Sequence, residues 1–170
     1  MVTLEGPAAC QPSHLGRMIE NLSGSCFIVP CLETTSKEEV FKEMLDSVVE
    51  AGHITKRDRT AMKKLLLERE AQGSTGLGNG IAVPHLKAKK LTDHHLVVAN
   101  SQAGIQFDAI DGQPVRTLFL VLGPAGDPEG HLQILRWVSS LARSADFRRF
   151  VLNAKSEAEI RDLLEEMSGA

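Results

Sequence analysis

The sequence predicts an α/β fold, a single domain with a mixed β-sheet flanked by helices on both faces. Three observations carry that prediction. Short β-prone runs and amphipathic helical patterns share one chain of 170 residues, enough for one sizeable core. The order reads strand, two helices, several strands, then two or three helices, with no internal repeat and no low-complexity tract. The composition is ordinary for a globular protein, with 42% hydrophobic and 24% charged residues.

Residues 1–14 mix Gly, Pro, Ala and polar residues without a period and read as a loose N-terminal extension, leaving residues 15–168 as the domain. Cys26-Phe27-Ile28-Val29-Pro30-Cys31 is a short apolar run ended by proline, which suits an outer strand. Ser36-Lys37-Glu38-Glu39 reads as a capping box that opens a helix. Val40, Phe41, Met44, Leu45 and Val48 then form one apolar stripe before Gly52 ends it. Thr55 to Asp58 opens a second helix, with Met62, Leu65, Leu66 and Arg69 at three- and four-residue steps and a stop near Gly73.

A glycine-rich loop, Gly73 to Gly80, runs into a short strand, Ile81-Ala82-Val83, closed by Pro84. Leu96 to Ala99 and Thr117 to Leu122 read as interior strands. Asp127 is an N-cap with Pro128 in the first helical position, and Ser156 to Glu159 opens the last helix, carrying Ile160, Leu163 and Leu164 inward. Phe147 to Leu152 fits a short helix before it.

Charge and composition exclude several function classes. With 19 basic against 22 acidic residues the net charge is -3, which implies no nucleic-acid partner and no anionic membrane surface. The longest apolar run is about five residues, against roughly 20 for a membrane span. No secretion signal is visible, so the cytoplasm is the expected compartment. Cys10, Cys26 and Cys31 form no C-x-x-C unit and read as buried or free thiols.

Four glycines between Gly73 and Gly80 invite a nucleotide reading, yet a helix precedes this loop and a strand follows, the reverse of what a phosphate-cradling loop requires. The end of the segment is more informative. Pro84 fixes its own φ and holds Val83 extended, so the backbone leading to His85 has few alternatives. Such a histidine is either a strand cap or a group that takes and gives up a phosphoryl unit, a task that needs a fixed in-line approach. His131 falls in the first turn of the helix opened at Asp127, on the inward face shared by Leu135, Val138 and Ala142. Amides and macrodipole there favour an anion. His94 and His95 are adjacent, make a poor metal pair, and read as surface residues, as do His14 and His53. A histidine-dependent hydrolase is disfavoured, because no serine or cysteine nucleophile accompanies the histidines in a recognisable motif.

The stretch Leu67-Glu68-Arg69-Glu70 with Gly73-Ser74-Thr75-Gly76-Leu77-Gly78-Asn79-Gly80-Ile81-Ala82-Val83-Pro84-His85 resembles the active-site signature of enzyme IIA domains of the fructose/mannitol class, in the bacterial phosphoenolpyruvate-dependent phosphotransferase system. Gly104 to Val115, Phe119 to Pro124 and His131-Leu132 are similar to the same family in the same order, so the likeness covers roughly Leu15 to Met167. It is closest to the nitrogen-regulatory branch.

The resemblance implies a phosphocarrier loaded by the histidine-containing phosphocarrier protein and unloaded onto an enzyme IIB or a regulatory target, with no cofactor, metal or nucleotide needed. His85 matches the phosphorylated histidine and His131 the second histidine beside it. Arg69 matches an arginine near the phosphoryl group, and Ser74 and Thr75 match hydroxyl residues of the loop. Where the family commonly has glycine after the active histidine, this chain has Leu86, expected on the docking face.

Overall fold

A computed structural model describes residue 22 and residues 25–169. The extension at residues 1–14, with Cys10 and His14, lies outside them. Strand β1 (Cys26–Val29) is followed by helices α1 (Lys37–Glu50) and α2 (Lys56–Gln72). Next come β2 (Gly76–Gly78), β3 (Ile81–Ala82), β4 (His85–Ala88), β5 (His95–Ile105) and β6 (Val115–Pro124). Helices α3 (Pro128–Arg143), α4 (Ala145–Asn153) and α5 (Glu157–Gly169) close the chain.

The six strands form one mixed sheet ordered β1-β5-β6-β3-β2, with β4 also paired to β6. Strand β1 runs parallel to β5 at the edge, as its terminal proline leads one to expect. Strands β5 and β6 form a long antiparallel pair at the centre. Alternation along these strands sends side chains to two separate cores. Val97, Ala99, Leu118 and Leu120 meet α1 and α2 through Phe41, Met44 and Leu66, while Val98, Phe119 and Val121 meet α3, α4 and α5 through Ile134, Val138, Phe147 and Ile160. Helices thus cover both faces, and the predicted architecture holds.

The local predictions fare unevenly. At α1 the Ser36 hydroxyl accepts from the Glu39 amide at 3.2 Å, but the reciprocal box forms one helix later, between Thr55 and Asp58. At α5 the Ser156 hydroxyl accepts from Glu159 N at 3.2 Å, and the Glu159 carboxylate reaches one residue further back, to Lys155 N at 2.8 Å. Leu65, placed in the α2 stripe, is 44% exposed, while Met62 and Leu66 make the buried contacts.

The loop from Gly73 to Gly80 contains a strand of its own. β2 pairs antiparallel with β3 through a turn in which Gly78, Asn79 and Gly80 all have positive φ, a backbone that two glycines adopt without a Cβ clash. Pro84, expected to close the strand Ile81-Ala82-Val83, does not end its pairing on β6. Ile81 and Ala82 pair with Thr117 and Leu118, and His85 and Leu86 resume on Val121 and Leu122 with the register unshifted. Proline removes one donor from the ladder, yet its carbonyl accepts from Val121 N at 3.0 Å, so the strand is interrupted and not ended.

Candidate functional site

His85 begins β4 where that interrupted strand resumes. Val83 N donates to Thr75 O at 3.0 Å and Val121 N to Pro84 O at 3.0 Å, which fixes the backbone on both sides of the proline. The half-buried imidazole is fixed as well, with Nδ1 2.9 Å from the carbonyl oxygen of Val83, two residues earlier. A carbonyl only accepts, so Nδ1 carries the hydrogen and Nε2 carries the lone pair. The ring therefore presents one nucleophilic nitrogen in a fixed direction.

His131 lies 5.9 Å from His85, centroid to centroid. It stands in the first turn of α3, which Asp127 caps by accepting from Gly130 N at 3.0 Å with Pro128 at the helix start. The ring is 4% exposed, and burial, reinforced by His85, His94 and Lys87, pushes its pKa down to about 4. His131 is therefore neutral at physiological pH. Ile134, Val138 and Ala142 are buried on the same helix, while Leu135 is only half-buried. The inward face is as predicted, shifted by one position toward Ile134 and Trp137.

Arg69 occupies the last turn of α2, half-buried, its Nη1 donating to Gly73 O at 2.8 Å. It ties the helix end to the loop. Ser74 Oγ donates to Phe107 O at 2.6 Å and accepts from Gly76 N at 3.0 Å. Thr75 is buried, and both its amide, at 2.9 Å, and its hydroxyl bond Glu70 Oε1. Glu70 is also paired with Lys37 at 3.3 Å, and Lys37 donates to Phe107 O at 3.2 Å. Glu70 and Lys37 thus clamp the loop whose carbonyl, at Thr75, anchors Val83 and hence His85.

Over residues 22–167 the chain matches the family described as phosphoenolpyruvate-dependent sugar phosphotransferase system, EIIA 2. The chain belongs to this EIIA 2 family. It is 39% identical over 132 residues to a PTS system fructose-specific EIIA component of Haloferax volcanii, covering 78% of this chain and 84% of that one. A nitrogen regulatory protein of Bradyrhizobium diazoefficiens is 34% identical over 132 residues, with the same two coverages of 78% and 84%. Among solved structures, nitrogen regulatory protein IIA-Ntr from Neisseria meningitidis superposes with a TM-score of 0.72 at 28% identity, covering 89% of this chain and 99% of that one. The mannitol IIA of Escherichia coli shares the fold, with a TM-score of 0.66 at 20% identity over 84% of this chain and 96% of that one.

In this EIIA 2 domain the tertiary structure brings together His85 and His131, and places Arg69 in the last turn of α2 and Ser74 and Thr75 on the loop that follows it. It also overturns two readings of the histidines. His94, expected at the surface, is half-buried with its ring 6.2 Å from His131. His95, also expected at the surface, is 3% exposed, packed 4.8 Å from His53 and 6.0 Å from Phe27. Alternation does send the two rings to opposite faces, so they make no metal pair. No group of three or more histidine, cysteine or acidic residues is placed to hold a metal ion among the described residues.

Leu86 is corrected too: alternation from His85 turns it away from His131, and it packs partly buried against the α1/α2 core. Sequence reasoning missed Glu70 as a clamp, and it missed Gly123 and Gly130 as spacers: the His131 and His94 rings pack against Gly123, and the His94 ring against Gly130, where a Cβ would collide. The one signal for the spacers was glycine inside an otherwise helical or strand pattern, which marks close packing.

Proposed function

We propose that this EIIA 2 domain is a histidine phosphocarrier that accepts a phosphoryl group on His85 Nε2 from the histidine-containing phosphocarrier protein and passes it to an enzyme IIB or signals by its phosphorylation state. The observation that carries this reading is the fixed ring: Nδ1 is held by Val83 O and Nε2 is left as the nucleophile, with His131 beside it. The Nε2 lone pair attacks phosphorus in line with the donor's N–P bond. That bond breaks as the new one forms, and its electron pair returns to the donor imidazole. His131 and Arg69 stabilise charge on the phosphoryl oxygens in flight. Ser74 and Thr75 serve the phosphoryl site by shaping the loop, since their hydroxyls are bonded to Phe107 and Glu70.

The family to which the chain belongs supports the phosphotransfer class. A solved complex of enzyme IIA mannitol with phosphorylated enzyme IIB mannitol, of the same fold, supports the class of acceptor. The reading places the protein in the cytoplasm, and no described helix is long and apolar enough to cross a membrane. The test is incubation with phosphoenolpyruvate, enzyme I and the phosphocarrier protein, followed by intact mass measurement. Gain of one acid-labile phosphoryl group is the expected result, and an unchanged mass overturns the reading.

A second reading, a regulatory module whose phosphorylation state selects its protein partner without onward transfer to sugar, is favoured by the likeness to nitrogen regulatory proteins. Retention of the phosphoryl group in the presence of enzyme IIB domains would support it; rapid loss to them would not.

A further inference from the structure

His94 is a histidine at the site to which neither the motifs nor the resemblance assigns a role. His131 neighbours both His85 and His94, with centroids 5.9 and 6.2 Å away. Two glycines make the second contact possible. A Cβ on Gly123 would lie 2.6 Å from His131 Nδ1 and 2.8 and 3.1 Å from His94 Cδ2 and Nε2, so the two nitrogens border the same small space above this glycine. A Cβ on Gly130 would lie 2.9 Å from His94 Cε1 and collide with the Asp127 carboxylate. Glycine is a poor choice within a helix, and its presence in the first turn of α3 lets His94 and Asp127 meet.

Asp127 has one oxygen for each task. Oδ1 accepts from Gly130 N at 3.0 Å and caps the helix, while Oδ2 lies 3.8 Å from His94 Nδ1. A carboxylate on that side favours the tautomer with hydrogen on Nδ1, which leaves the His94 lone pair on Nε2, at the space it shares with His131 Nδ1. His94 Nε2 and both nitrogens of His131 are buried without a hydrogen-bond partner among the described residues. Buried polar atoms left in that condition are rare and ask for a use.

We propose that His94, oriented by Asp127, is a positioning residue for His131: the two rings are not bonded to each other in the unphosphorylated protein, and when a phosphoryl group on His85 draws a proton onto His131, a small ring movement across the space at Gly123 lets His94 Nε2 accept from His131 Nδ1, so that His131 Nε2 is presented to that group. The inference rests on the reading of His85 as the phosphoryl carrier. Arrival of that group brings negative charge beside His131, and the proton drawn from solvent belongs to the coupled imidazoles jointly. The groups facing the pair are His85 and Lys87 from β4 and Asp127 from the α3 cap; Lys87 opposes protonation, while Asp127 and the phosphoryl group favour it.

The test uses the whole chain loaded with phosphoramidate, a small phosphoryl donor that needs no protein partner, with nitrogen-15 imidazole spectra and loading rates recorded across pH. His94→Phe keeps a ring and loses the acceptor. It is expected to lower the His131 titration midpoint in the phosphoprotein by about one pH unit and to slow loading about tenfold. His94→Gln, whose amide oxygen can still accept, is expected to restore most of both. His94→Leu, which also lacks an acceptor, is expected to shift the midpoint as His94→Phe does, which carries the test even if His94→Phe does not fold. A His131 titration and pH profile unchanged in these variants overturn the inference while leaving the His85 reading intact. Uptake of the phosphoryl group by His85→Ala overturns that reading itself.

Discussion

Two histidine groups stand on opposite faces of the sheet, alike in clustering and in a lowered pKa and unlike in their surroundings. On the α3 side are His85, His131 and His94; on the α1 side are His95 and His53 with Phe27. Burial pushes His131 and His95 alike down to about 4. Neither clustering nor a lowered pKa therefore singles out a candidate site. What does is the surroundings: a proline-interrupted strand and a carbonyl that fix the His85 ring, a capped helix N-terminus at His131, and two glycines that make room. His95 has an aromatic wall and another imidazole, which accounts for packing and nothing more.

The largest effect expected from this contrast is an all-or-none one. His85→Ala abolishes phosphoryl uptake from the upstream components, whereas His95→Ala retains it; intact mass spectra of both variants decide the matter, and uptake by His85→Ala would transfer the role elsewhere. Next in size, His131→Ala and Arg69→Ala remain folded and load about 10² to 10³ times more slowly, the usual effect of removing one group that stabilises transition-state charge. Unchanged rates with unchanged melting would remove either residue from the site.

Gly123→Ala tests the spacing. Its Cβ would meet His131 Nδ1 at 2.6 Å, so the imidazole pair must shift, and both a lower loading rate and a loss of about 1 to 3 kcal/mol of stability are expected. A wild-type rate would show that the close packing of these rings is incidental.

Acid sharpens the comparison without altering chemistry. Because the folded pKa of His131 and His95 lies near 4, below the ordinary value of about 6.5, the unfolded chain binds protons first as pH falls. Their stabilisation is therefore full above about pH 6.5 and is lost between there and about pH 4. From pH 7 to pH 5 each accounts for about 2 kcal/mol. Chemical denaturation at the two pH values measures this, and His95→Phe should weaken the pH dependence while leaving loading untouched.

Leu86→Gly is expected to affect stability alone. Since the side chain packs partly buried against the α1/α2 core, its removal is expected to lower the melting temperature, by about 2 kcal/mol of stability, without faster uptake. Faster loading would return Leu86 to the docking face.

Much of this molecule is determined by sequence alone, where the physics is local. Ser36, Thr55, Asp127 and Ser156 each cap a helix because a side-chain oxygen near in sequence reaches a free amide. Alternation separates the neighbours His94 and His95, and Pro84 restricts the backbone that leads to His85. What only the tertiary structure decides is set by pairings between distant segments. The antiparallel register places His95 opposite Leu122, so its preceding neighbour His94 meets Gly123 and His131. The parallel register of β3 and β4 on β6 carries one strand across a proline that reads locally as its end, and turns Leu86 into the core. Register follows from which faces are buried across the whole sheet, a property no short window of sequence contains.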